Sequence, residues 1–166
     1  MEKKRGFEVV STYKNKDIQL PTRATKQAAG YDFEAAEDVV IPSLIKHVIH
    51  YKSADKTQKG IKPTLVATGI KAYMGADEYL QLANRSSNPL KRFLLLGNGI
   101  GVIDADYYGN DANEGHIMFQ FLNIGFTDVV IKKGERIGQG IFLPFLKADN
   151  DQALQERTGG FGSSGK

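Results

Sequence analysis

No part of this chain holds an apolar pattern long enough to build a helical bundle, and that constrains the fold more than any other feature. β-favouring runs at residues 7–12, 38–41, 64–68, 79–82, 116–122, 129–131 and 141–143 are each cut short by Gly, Asn, Pro or charge. Helical periodicity is absent, and only residues 88–96 could supply a helical turn or two. Many short strands broken by turn residues predict an all-β, single-domain fold, a distorted jelly roll or β-barrel. The length of 166 residues fits one such domain over 1–150, and no repeat or linker divides it.

Residues 151–166 read differently. They end in Gly159-Gly160-Phe161-Gly162-Ser163-Ser164-Gly165-Lys166 and offer too little apolar surface to offset the entropy of ordering. A flexible C-terminal arm is expected, with Phe161 as its one aromatic. Residues 52–60 are polar and predict a surface loop.

Composition removes several classes of function. There are 0 cysteines, which excludes disulfides and thiolate metal sites. The basic start is followed by no apolar signal core, and no apolar run approaches the roughly 20 residues of a membrane span, so a cytoplasmic protein without a membrane partner is expected. The charge of +3, from 22 basic and 19 acidic residues, is too balanced for a nucleic-acid binder. His47, His50 and His116 share no metal-ligand spacing.

Five segments carry residues suited to chemistry. Gly30 precedes Tyr31-Asp32, which is either a tight backbone position beside a functional carboxylate or a turn entering a strand. Asn84-Arg85-Ser86-Ser87-Asn88 follows an apolar strand, and its guanidinium and hydroxyls suit phosphate oxygens as well as they suit a polar loop. Gly97-Asn98-Gly99-Ile100-Gly101-Val102-Ile103-Asp104 lacks the helix that a dinucleotide fingerprint needs. It predicts a glycine-rich hairpin that a flat ligand can approach closely, with Asp104 a candidate general base. Gln139 stands among small residues in Gly134-Glu135-Arg136-Ile137-Gly138-Gln139, and its amide either donates to a phosphate or serves a neighbouring strand. The tail formally matches a P-loop but lacks the Ser or Thr and the helix after Lys166; its glycine N–H groups, hydroxyls and Arg157 could still wrap a polyphosphate.

Taken in order, Ala29-Gly30-Tyr31-Asp32, Arg85-Ser86-Ser87, residues 101–109, Gly134 to Gln139, and Arg157 with residues 159–165 resemble the five motifs of the trimeric dUTPase family, across residues 24–165. The details resemble members from Gram-positive bacteria and their phages. The resemblance implies hydrolysis of dUTP to dUMP and pyrophosphate, which keeps uracil out of DNA and supplies dUMP for dTTP synthesis. It implies that Asp104 activates a water against the α-phosphorus and that Tyr107 packs on the deoxyribose. Asn98 with the backbone of Gly101, Val102 and Ile103 would read uracil. Arg85, Ser86, Ser87 and Gln139 would bind phosphates. Arg157, Gly162, Ser163 and Ser164 would clamp the γ-phosphate, Phe161 would stack on the base, and Asp32 would organise the water around Mg2+. The metal would sit mainly on phosphates and water, and the site would be shared within a homotrimer.

The chain departs from the family pattern in three places. Asn84 stands where Pro is more usual, four steps rather than five separate Arg157 from Phe161, and residues 110–115 form an insertion. The shortened arm makes Tyr108, Phe119 and Phe121 alternative stacking residues. Two other functions share the scaffold: a dCTP deaminase, and a phage-type dUTPase that also binds a regulatory protein partner.

Overall fold

The computed structural model describes residues 3–46 and 62–153. Arg157, Phe161, Gly162, Ser163 and Ser164, the expected arm from residue 154 onward and the loop at 52–60 lie outside these residues, as do His47 and His50. The strands are β1 (Gly6–Val9), β2 (Thr22–Arg23), β3 (Tyr31–Glu34), β4 (Val39–Ile41), β5 (Thr64–Ala67), β6 (Ile70–Tyr73), β7 (Glu78–Asn84), β8 (Leu94–Leu96), β9 (Gly101–Asp104), β10 (Met118–Asn123), β11 (Val129–Ile131) and β12 (Arg136–Pro144). A short helix, α1 (Ser87–Arg92), joins β7 to β8.

The predicted all-β architecture is present, but the strands divide among separate sheets and do not close into one barrel. The largest sheet runs β2-β3-β12-β7-β9, a second runs β5-β10-β8, and β1-β6 and β11-β4 are pairs. One core unites them. In β10 the alternation is clean: Phe119, Phe121 and Asn123 are buried while Met118, Gln120 and Leu122 are half-buried on the other face. Phe119 and Phe121 meet Phe33, Leu80, Leu82 and Ile137 in the centre. Strand β12 crosses this centre on glycines. A Cβ on Gly138 would lie 2.0 Å from the Phe119 ring, and one on Gly140 would lie 2.7 Å from Phe33. Only a bare backbone fits between those aromatics.

Two expectations need correction. Phe119 and Phe121, considered as base-stacking residues, are 1% and 0% exposed and belong to the core. Residues 97–104 are not a hairpin: β8 pairs with β10 and β9 pairs with β7, so the glycine-rich turn leads from one sheet into another. The helical turn or two expected within residues 88–96 is present as α1. Helix α1 stops at Phe93, which adopts a left-handed conformation (φ 57°), and Leu94–Leu96 continues as strand β8.

Candidate active site

The sequence-predicted residues gather in two places on the five-stranded sheet. The first is the outer edge of β9. This strand ends the sheet and hydrogen-bonds only to β7 among the described strands, which leaves one row of its peptide groups for a ligand. A cleft of about 230 Å³ lies along that edge. It is lined by Asn98, Gly101, Val102, Ile103, Asp104 and Tyr107, with Leu82 of β7 and with His116, Met118 and Gln120 from the segment entering β10. The turn that opens the cleft is held by Gly97 N–H donating to Gln120 O at 2.9 Å and by Gly99, whose φ of +71° favours glycine. Asp104 closes β9 in extended conformation and its carboxylate makes no capping bond to the 3-10 turn Ala105–Tyr107 that follows.

Tyr107 is buried, with its ring in the cleft wall and its hydroxyl fixed at both ends: it donates to His116 O (3.1 Å) and accepts from Asn113 Nδ2 (2.8 Å). Behind it, Gly69 N–H donates to His116 Nε2 at 2.9 Å, so this imidazole is neutral with its proton on Nδ1. Burial drives the His116 pKa below its ordinary value, against the pull of Glu37 and Glu114. Tyr108, the remaining alternative for base stacking, points elsewhere. Its hydroxyl donates to Glu8 at 2.7 Å, and this bond raises the phenol pKa to about 12.

The second place is a polar cluster where β3, β12 and β7 run side by side. Asp32, Gln139 and Ala83 form one cross-strand row. Asp32 faces two guanidiniums, with Arg136 Nη1 at 3.1 Å and Arg85 Nε at 3.8 Å, and Arg85 also donates to Arg136 O. Gln139 Nε2 donates to Asn84 O at 3.3 Å, so its amide serves the neighbouring strand here. Asn84 and the buried Asn88 pin the Arg85-Ser86-Ser87 turn in place. Asn88 Nδ2 donates to Asn84 Oδ1 and to Ile137 O, both at 2.8 Å, and Asn84 Nδ2 donates to Leu94 O. Ser86 precedes α1, and its hydroxyl makes no capping bond. Arginines, hydroxyls and a carboxamide in one patch can bind phosphate oxygens with planar, directed donors.

Asp32 and Asp104 do not meet in one chain. The Asp32 row crosses β7 at Ala83, whereas Asp104 crosses it at Tyr79. Three strand spacings and four residues of rise put the two carboxylates roughly 20 Å apart. Sequence reasoning missed Arg136 as the closer partner of Asp32. It also missed His116, Met118 and Gln120, although their period-2 spacing, out of phase with Ile117, Phe119 and Phe121, already places them on one face.

The comparisons with known proteins agree with one another. A family model described as dUTPase matches residues 16–165. The chain is 51% identical to the deoxyuridine 5'-triphosphate nucleotidohydrolase of Lactococcus lactis subsp. lactis (strain IL1403) over 164 residues, 97% of each chain. Among solved structures, the dUTPase of Streptococcus mutans superposes with a TM-score of 0.73 at 44% identity, covering 87% of this chain and 99% of that one. A mutant dUTPase from phage phi11 of S. aureus, described as coordinating a structural Mg(II) ion, shares the fold at 17% identity with a TM-score of 0.65, covering 92% and 98%.

Proposed function

The chain belongs to the dUTPase family, and from that membership we propose that it is a dUTP diphosphatase whose base pocket is the cleft on β9 and whose phosphate site is the Arg85–Gln139 cluster. The single observation that carries the assignment of the cleft is the edge of β9 that no other described strand pairs with, beside Asn98. Peptide N–H and C=O groups there alternate as donor and acceptor, which suits the edge of uracil. Cytosine presents the reverse pattern and would leave buried polar groups unpaired. The 51% relative is a triphosphate nucleotidohydrolase rather than a deaminase.

In this reading Asp104 accepts a proton from a water as that water's oxygen bonds to the α-phosphorus. The bond from the α-phosphorus to its bridging oxygen breaks, and pyrophosphate leaves with the electron pair. Tyr107 packs against the deoxyribose. Arg85, Ser86, Ser87 and Gln139 hold the phosphates, Gln139 by turning its amide from Asn84 O. Arg157, Gly162, Ser163 and Ser164 clamp the γ-phosphate and Phe161 covers the base, as the family pattern of the arm implies.

Mg2+, when bound, neutralises and positions the phosphate oxygens. The donor set fits such a metal if most of its ligands come from phosphate and water. Among the described residues no group of three or more His, Asp or Glu could hold an ion by itself. Asp32, already facing two guanidiniums, suits contact through water.

The separation of Asp32 from Asp104 favours a homotrimer in which one protomer's cluster completes its neighbour's cleft. Leu65 and Leu95, exposed on the outer face of the β5-β10-β8 sheet, supply apolar surface for that assembly. Pyrophosphate release measured with dUTP, dTTP, dCTP and UTP tests the activity, with dUTP alone expected to turn over efficiently. Mixing Asp104→Asn with Arg85→Ala protein tests the sharing. Subunit exchange should restore part of the activity that each variant lacks, and no recovery would place each site within one chain.

A further inference from the structure

The insertion at residues 110–115 is wrapped around Tyr107. Asn110, 7% exposed, donates from Nδ2 to Tyr107 O (2.8 Å) and to Asn113 Oδ1 (2.9 Å), and its own Oδ1 accepts from the N–H groups of Ala112 and Asn113. Asn113 Oδ1 also accepts from Gly115 N–H, which leaves Asn113 Nδ2 aimed at the Tyr107 hydroxyl. Gly115 closes the turn at φ +85°, with Tyr107 O 2.6 Å from where a Cβ would stand. The loop is anchored at its far side too. Glu114 accepts from Ser11 and from Lys71 Nζ, bonds that pull its pKa down to about 2, Ser11 contributing most.

Asn110 and Glu114 fix the loop through the Tyr107 carbonyl, the loop's own N–H groups, Ser11 and Lys71, and the loop so fixed presents Asn113 Nδ2 to the Tyr107 hydroxyl. We infer that Asn113 is a positioning residue: it sets the height of the Tyr107 ring in the cleft, and thereby the margin by which deoxyribose is preferred to ribose. The inference rests on the reading of Tyr107 as the sugar-facing residue. His116 O and Asn113 Nδ2 grip the hydroxyl from two sides, and losing one of these bonds loosens the hold on the ring. A 2′-OH is excluded sterically only by a wall that cannot move.

The test compares kcat/KM for dUTP with kcat/KM for UTP in Asn113→Ala, which removes the donor to Tyr107; a carboxylate in its place would accept from the phenol and hold it. The ratio should fall about three- to ten-fold, the worth of one neutral hydrogen bond. The same substitution made in a Tyr107→Phe background should produce no further fall, because the hydroxyl it acts through is gone. Melting temperatures measured in parallel separate positioning from damage, since a merely unstable loop lowers Tm and leaves the ratio alone. Tyr107→Ser is the control for the underlying reading. If Tyr107→Ser changes the ratio and Asn113→Ala does not, the role of Asn113 is overturned and the sugar contact stands. If Tyr107→Ser leaves the ratio unchanged, both are overturned.

Discussion

The amide of Gln139 occupies the space that a side chain at residue 30 would need: a Cβ on Gly30 would lie 2.2 Å from Gln139 Oε1. The first and fourth sequence motifs are thus one steric unit, with Gly30 leaving room and Gln139 filling it. Gly30→Ala should displace the end of a flexible side chain at a stability cost of about 0.5–1.5 kcal/mol. It should lower kcat/KM for dUTP by about ten- to a hundred-fold, because a phosphate ligand is misplaced. Steady-state kinetics beside a thermal melt will check both, and unchanged kinetics would remove Gln139 from the phosphate site.

Asp104→Asn should keep KM for dUTP within a few-fold while kcat drops by about 10²–10⁴, the range for loss of a general base. Pyrophosphate release decides it, and undiminished turnover would give the role to another group.

Gly138→Ala is expected to act on the fold. Its Cβ would stand 2.0 Å from Phe119, whose ring is locked in the core. Overpacking of this kind costs about 1–3 kcal/mol or more. A chemical-denaturation midpoint equal to wild type would contradict the packing of β12 described above.

The lowered pKa of buried His116 gives stability a defined pH dependence. The unfolded chain binds a proton near the ordinary histidine value of about 6.5 while the folded chain resists it. Stability is therefore full above that pH and falls as acid drives the folded imidazole toward protonation. The lowered carboxylates, Glu8, Asp38, Glu78 and Glu114, add their own losses only below about 4.5. Tm should decline between about pH 6.5 and 4.5 in the wild type and decline less in His116→Gln; parallel slopes in the two proteins would exclude His116 as the cause.

The strands at 64–67, 118–123 and 129–131 were readable from sequence because their apolar residues are continuous or alternate cleanly. Strand β3 went unassigned although Tyr31, Phe33 and Ala35 alternate with Asp32 and Glu34, because the segment is short and follows a glycine that reads as a turn. Strands β8 and β9 were hidden by the glycines between them, which promised a hairpin until each strand proved to have a different partner. Ordered motifs identified the family, since Arg85, Asp104 and Gln139 each carry a chemical type in a fixed sequence order. The pairing of Asp32 with Arg136 depends on register across two strands, and no local pattern encodes it.

The free edge of β9 has an evolutionary corollary. Where a base is read by peptide groups, replacing Val102 or Ile103 by another residue exchanges the side chain but leaves the donors and acceptors in place. A uracil mimic anchored to that main chain would face contacts that ordinary codon changes cannot delete. Escape would have to come from changes that bend the strand itself, such as a proline, and those would disturb the natural substrate as well.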